Sequence, residues 1–186
     1  MRPLYLRLSI TDGCAYRCPY CQPDGPAAGT AAKERMTPAE WGRLTGLLAG
    51  LGASRVRLTG GEPLSHPECL EIIREIRRSP LVREIALTTN GEALAPLAKD
   101  LRRAGLDRIN IHVDSLQRER YRQITGRDRL HDVLRGIEAA RSAGLEPVKI
   151  NMVLMRGVND GELFDFCEVS RGWGVTVRFI ELMNTG

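Results

Sequence analysis

Short runs in which every second residue is apolar recur six times along the chain, at Leu4–Ile10, Arg55–Thr59, Glu84–Thr88, Arg108–Val113, Val148–Val153 and Thr176–Ile180. Alternation with a period of two marks strands that bury one face. Between these runs the apolar spacing shifts to the helical period. Thr37-Pro38-Ala39-Glu40 has the form of a capping box with proline at the first helical position, and Trp41, Leu44, Leu47, Leu48 and Leu51 follow at helical spacing. Further helices are predicted from about Pro67 to Arg78, over Ala93–Ala104 and over Leu130–Ala143, and another opens at Asn159 with Glu162 completing a second capping box. Gly105 and Gly144 fall where helices end in a left-handed residue. Gln22–Arg35, rich in proline, glycine and alanine, is the one loose segment.

Strand–helix alternation of this kind predicts an α/β fold with a parallel sheet and right-handed crossovers. Six strands fall short of a closed eight-stranded barrel. A partial (β/α)6 TIM-type barrel or a doubly wound sheet remains, as one domain over residues 1–186. Strands buried on both sides would be almost continuously apolar, and these are not. Arg7, Arg57, Lys149 and Arg178 fall on the polar face, together with Thr88, Asn110, His112 and Asp114. If the apolar set packs on the helices, the polar set lines a concave lumen suited to an anion. The alternative is a solvated sheet face.

Composition narrows the class. With 42% hydrophobic and 27% charged residues in 186, the chain is globular rather than disordered. Its apolar stretches are too short to span a bilayer, and Met1–Ser9 lacks a signal-peptide core, so a cytoplasmic protein with no membrane partner is expected. The net charge of +4 comes from 24 Arg and 3 Lys against 23 acidic residues. That suits a phosphate-bearing small molecule as well as nucleic acid, and alone it decides nothing.

Five cysteines, an odd number in a reducing compartment, argue against a disulfide framework. Cys69 and Cys167 lie beside Ile72 and Ile73, and Leu163 and Phe166, and read as small core residues; Met152 and Met155 read as packing. His66 reads as turn punctuation and His131 as an exposed helix start. Cys14, Cys18 and Cys21, in contrast, are clustered on the loop after the first strand. Three such thiolates can hold three irons of a [4Fe–4S] cube and leave the fourth open. Zinc is the competing metal, but a structural zinc site wants four protein ligands, and no histidine is paired with these cysteines.

Cys14-x3-Cys18-x2-Cys21, with Tyr20 before the last cysteine, resembles the signature of the radical S-adenosylmethionine (radical SAM) enzymes, and Gly60-Gly61-Glu62-Pro63 resembles their Gly-Gly-Glu-Pro element. The resemblance implies a cluster whose open iron binds S-adenosylmethionine and reduces it to a 5′-deoxyadenosyl radical. Leu6–Asp12, Arg57–Gly61, Thr88–Gly91, Ile124–Gly126, Val148–Asn151 and Arg178–Met183 further resemble the GTP 3′,8-cyclase family, which begins molybdenum-cofactor biosynthesis. That likeness implies GTP contacts at Arg7, Arg57, Thr88 and Lys149, and cosubstrate contacts at Tyr20, Gly60, Gly61, Glu62, His112 and Met183. It implies GTP as a small-molecule substrate, an external reducing electron donor, and no nucleic-acid partner. Ala15, Gln22 and His112 stand where this family usually has Asn, Met or Leu, and Ser. The family also carries a C-terminal segment whose three cysteines hold a second cluster, whereas this chain stops at Thr185-Gly186. Two other readings stay open: a radical enzyme acting on a different substrate, and a cluster-binding domain that catalyses nothing.

Overall fold

The computed structural model describes residues 4–21 and 36–183; the Gln22–Arg35 segment and Thr185-Gly186 lie outside the described residues. Six strands form one sheet: β1 (Tyr5–Ser9), β2 (Arg55–Thr59), β3 (Glu84–Thr89), β4 (Arg108–His112), β5 (Lys149–Leu154) and β6 (Thr176–Glu181). Every pairing is parallel, and the spatial order is the chain order, β1 to β6. A doubly wound sheet would reverse direction at a switch point. None exists here, and β1 does not pair with β6, so the architecture is the open, partial barrel.

The covering helices are α1 (Pro38–Gly50), α2 (Cys69–Arg77), α3 (Leu94–Ala104), α4 (Arg118–Thr125), α5 (Leu130–Ser142) and α6 (Leu163–Trp173). The alternation in the strands decides which face they cover. Val56, Leu58, Ile85, Leu87, Ile109, Ile111, Ile150 and Met152 are wholly buried and share a core with Ile72, Ile73, Ile76, Leu101 and Val133 of the helices. Cys69 belongs to this core, Met152 and Met155 are buried, and His131 is exposed, all as their spacing predicts. Buried His66 ends a 3-10 turn (Pro63–Ser65) and its Nδ1 accepts from the Glu68 amide. The polar set faces the concave side. Its register stacks Arg7 beside Arg57, then Thr88, Asn110 and Lys149, then His112, Asn151 and Arg178.

Four sequence expectations need correction. In α1 the capping box forms, with Thr37 and Glu40 bonding reciprocally, but the buried residues are Thr45 and Ala49, while Leu47 and Leu51 are exposed. Small residues win because α1 lies close against α2: a Cβ on Gly42 would stand 3.0 Å from Cβ of Glu75. The predicted capping box at Asn159 does not form, because both side chains are recruited by the end of β4. Asn159 Nδ2 donates to the carbonyls of Asp114 and Val153, both at 2.8 Å, and Glu162 accepts from the Ser115 hydroxyl and the Leu116 amide, both at 2.7 Å. Cys167 is exposed rather than in the core, since α6 buries only Phe166. Finally, α4 was not anticipated: Arg-Glu-Arg-Tyr-Arg-Gln-Ile-Thr offers only Tyr121 and Ile124 as apolar anchors.

Candidate active site

At the carboxyl ends of the strands, the loop after β1 folds over the barrel mouth. It can do so because of two glycines on the loop after β2. Amides of Gly61 and Glu62 donate to the carbonyls of Thr11 and Gly13, each at 2.7 Å. A Cβ on Gly60 would stand 2.1 Å from the Thr11 oxygen. The paired glycines therefore admit the cysteine-bearing loop itself, a closer approach than side chains permit. The other side of the loop is tied to α4. The Arg17 amide donates to the Thr125 carbonyl at 2.9 Å, and the buried phenols of Tyr121 and Tyr16 bond at 3.0 Å with edge-on rings.

Between loop and sheet lies a cavity of about 220 Å³. Cys14, Cys18, Cys21 and Tyr20 line it from the loop, Gly60, Gly61 and Glu62 from β2, Arg7 from β1, Thr88 and Asn90 from β3, and His112 and Asp114 from β4. Eight of the residues singled out as cluster or cosubstrate contacts thus meet in one place, with Arg7 and Thr88 beneath them. Met183 does not join them; it follows β6 and is 71% exposed. Arg57 and Lys149 do not line the cavity either. They belong to a cationic layer deeper in the lumen, with Arg108 and Arg178.

Glu62 is 6% exposed, and its carboxylate is already held by the protein. Oε1 accepts from the Leu64 amide at 2.9 Å and the Thr89 hydroxyl at 2.6 Å, and Oε2 from the Asn90 amide at 2.6 Å. Burial pushes its pKa up and these bonds pull against that shift. A carboxylate oxygen accepts about two bonds, so one acceptor position on Oε2 is left for an incoming ammonium. Asn90 and Thr89, which fix this geometry, escaped the sequence reading. Their signal is membership of the Thr88–Gly91 family-like run at the end of β3, which assigns them no role.

The thiols fit a cluster better than a single ion. Burial pushes Cys14 up and Cys18 up to about 12, and each also responds to the charge of Cys21, so the three are electrostatic neighbours. Among the described residues, however, no three His, Cys, Asp or Glu side chains converge tightly enough to hold one metal ion. Three thiols at one mouth are one ligand short of a structural zinc site and match the three ligands of a cube with one open iron.

The deeper layer is strongly positive. Arg108 pairs with Glu84 at 2.6 Å, Arg178 donates to Asn151 Oδ1 at 2.6 and 2.9 Å, and the Arg57 guanidinium lies 5.2 Å from the Tyr5 ring centre. Burial lowers Lys149, and the charges of Arg108, Arg178 and Arg57 add to the effect. Arg57 Nε and Asn110 Oδ1 are buried with no hydrogen-bond partner among the described residues. Neutral surroundings would not tolerate so many cations together. An anion would.

A family model described as the radical SAM superfamily matches residues 8–169. The chain belongs to this superfamily. Its members work with a [4Fe–4S] cluster and S-adenosylmethionine, the two groups for which the mouth has donors. Curated proteins named GTP 3′,8-cyclase are similar over 182 residues: those of Moorella thermoacetica and Heliobacterium modesticaldum are 46% and 44% identical. The match covers 98% of this chain but 56% of either relative, so the chain spans little more than half their length. Solved radical SAM structures share the fold at low identity. One titled native anSMEcpe with bound AdoMet superposes with a TM-score of 0.75 at 18% identity, over 98% of this chain and 52% of that one. Streptococcus suis SuiB bound to S-adenosylmethionine superposes at 0.72 and 19%, over 99% and 42%. Among the described residues, no helix is long and apolar enough to cross a membrane.

Proposed function

We propose that residues 1–186 form the radical-generating core of a cytoplasmic enzyme of the GTP 3′,8-cyclase type, taking GTP as substrate and an external reductant as electron source. The observation that carries this reading is the stacking of two sites in one lumen. A mouth with three thiols and the Gly60-Gly61-Glu62 turn lies above a layer in which Arg57, Arg108, Lys149 and Arg178 outnumber the one carboxylate, Glu84, that pairs with Arg108. The resemblance to cyclases supports the identity of the substrate.

In this reading Cys14, Cys18 and Cys21 hold the [4Fe–4S] cluster, which when bound supplies one electron to S-adenosylmethionine. Glu62 receives the cosubstrate's ammonium on its open Oε2 position, and the backbone of Gly60 and Gly61 frames its methionine end. Tyr20 and His112 border the adenosine. Arg7 and Thr88 hold the middle of the substrate, within reach of the mouth, and Arg57 and Lys149 hold its triphosphate.

Anaerobic reconstitution with dithionite and S-adenosylmethionine tests the assignment through 5′-deoxyadenosine. GTP should bind and alter the rate of its formation. Formation of 5′-deoxyadenosine with complete indifference to GTP would point to another substrate, and none at all would leave a cluster-binding domain.

A further inference from the structure

Two tyrosines fasten the cysteine-bearing loop to the barrel, and they do so differently. Tyr16 is packed edge-on against Tyr121 in the core. Tyr20 is held by polar groups on β4 and the residues just after it. Its hydroxyl lies 2.7 Å from His112 Nε2 and donates to Asp114 Oδ2, while His112 Nε2 lies 3.0 Å from Asp114 Oδ1. Asp114 is wholly buried and also accepts from the Val153 amide on β5 at 2.8 Å, which fixes it in the sheet.

Counting protons assigns the roles. The Tyr20 phenol donates to the Asp114 carboxylate. An ionised carboxylate only accepts, so His112 must present Nε2–H to Asp114 Oδ1, with the Tyr20 oxygen in reach of the same hydrogen. The imidazole closes a three-membered ring of bonds around a phenol that sits between two candidate cluster ligands, Cys18 and Cys21. A serine hydroxyl at position 112, one bond from Cβ, would fall several ångström short of Tyr20. The short Cys18–Cys21 turn, closed by the Cys21 amide on the Cys18 carbonyl at 3.0 Å, moves with that phenol.

We propose that His112 is a positioning residue for the cluster loop, locking Tyr20 and with it Cys18 and Cys21 onto β4. The proposal rests on the reading that these thiols hold a cluster, but its first test does not. Hydrogen exchange on the apo chain should show the amides of Cys14–Cys21 opening roughly fivefold faster in His112→Ser, the loss expected from about one hydrogen bond. His112→Gln, whose amide can donate along the same line, should restore protection to within about twofold of the original. Tyr20→Phe should match His112→Ser. In reconstituted protein, His112→Ser should release iron to a chelator faster by a similar factor. It should also broaden the electron paramagnetic resonance signal of the reduced cluster, and His112→Gln should reverse both, a pattern that general loosening would not give. Unchanged loop exchange in His112→Ser and Tyr20→Phe would overturn the proposal. Should the unmodified chain take up no cluster, the reading of the thiols fails and the exchange comparison alone decides the role of His112.

Discussion

A Cβ on Gly61 would stand 2.3 Å from the carbonyl oxygen of Gly13, the residue that precedes Cys14. The neighbour is backbone, so it cannot swing aside as a side chain would. Gly61→Ala must push the cysteine loop off the end of β2 and strain the bonds that Gly61 and Glu62 make to it. Overpacking of this kind costs about 1–3 kcal/mol. For a chain of this size the melting temperature should fall by roughly 2–4 °C per kcal/mol. Iron bound after reconstitution should fall as well. An alanine variant with unchanged melting and full iron content would mean that the glycines serve a ligand rather than the loop.

What could be read from the sequence follows from where its periodicities are strong. All six strands alternate cleanly enough that their faces, and hence the lumen residues Arg7, Arg57, Thr88 and Lys149, are evident without coordinates. The weak places have physical causes. Five of the eight residues of α4 are arginine, glutamate or glutamine, and Tyr121 matters to it because of Tyr16, far away in sequence. Asn159 and Glu162 have the letters of a capping box, but the two-residue step from β4 into Ser115 and Leu116 leaves buried groups that need those side chains more. Asp114 read as a lone counter-charge; its work as the anchor for Tyr20 depends on a loop that no local pattern places. At Leu47 and Leu51, helical spacing was right about the helix and wrong about the face, because Gly42 sets how α1 meets α2.

The Glu84–Arg108 pair should make stability depend on acid. Its bond of 2.6 Å joins two largely buried side chains, and Arg108 holds the Glu84 carboxyl below the usual range. A carboxyl with a depressed folded pKa contributes stability above its unfolded value, about 4.3, and loses it as pH falls through the folded value. Glu84→Gln should therefore cost about 1.5–3 kcal/mol at pH 7, the range for a hydrogen bond to a charged group. Thermal melts at pH 7 and near pH 3 measure it: the gap between the two proteins should be wide at pH 7 and narrow in acid. A gap that did not change with pH would show that lost packing, not charge, explains the variant.

Iron uptake should also rise with pH, for a different reason. Burial raises the Cys14 thiol and takes Cys18 up to about 12, so at neutral pH both are protonated in the empty protein. Ligation needs thiolates, so assembly must displace those protons. Raising the pH from 7 to 9 should speed cluster assembly, while Cys18 should still release its proton at both values, because a thiol raised to about 12 stays protonated at pH 9. A pH-stat or indicator-dye titration during anaerobic reconstitution would follow both. Assembly without proton release at pH 7 would mean that the thiols are already ionised.

The cationic layer makes the last prediction, because its cations crowd one another. Burial and the charges of Arg108, Arg178 and Arg57 lower Lys149, and Arg57 Nε is buried with no partner among the described residues. A triphosphate entering this layer would satisfy the orphaned N–H and favour the protonated lysine. Affinity should accordingly fall as pH rises through the lowered Lys149 value, since each deprotonated lysine removes a donor and a charge. Lys149→Ala should weaken GTP binding by about 10–100-fold, the equivalent of one charge-assisted hydrogen bond, and should flatten that pH dependence. Added salt should weaken binding too, though less steeply than at an open surface, because screening acts poorly inside the lumen. Calorimetry with GTP, repeated with inorganic triphosphate, separates the phosphate contribution from that of the nucleoside. GTP affinity that ignores salt, pH and Lys149→Ala would remove the triphosphate from this layer, and with it the main reason to place GTP in the barrel.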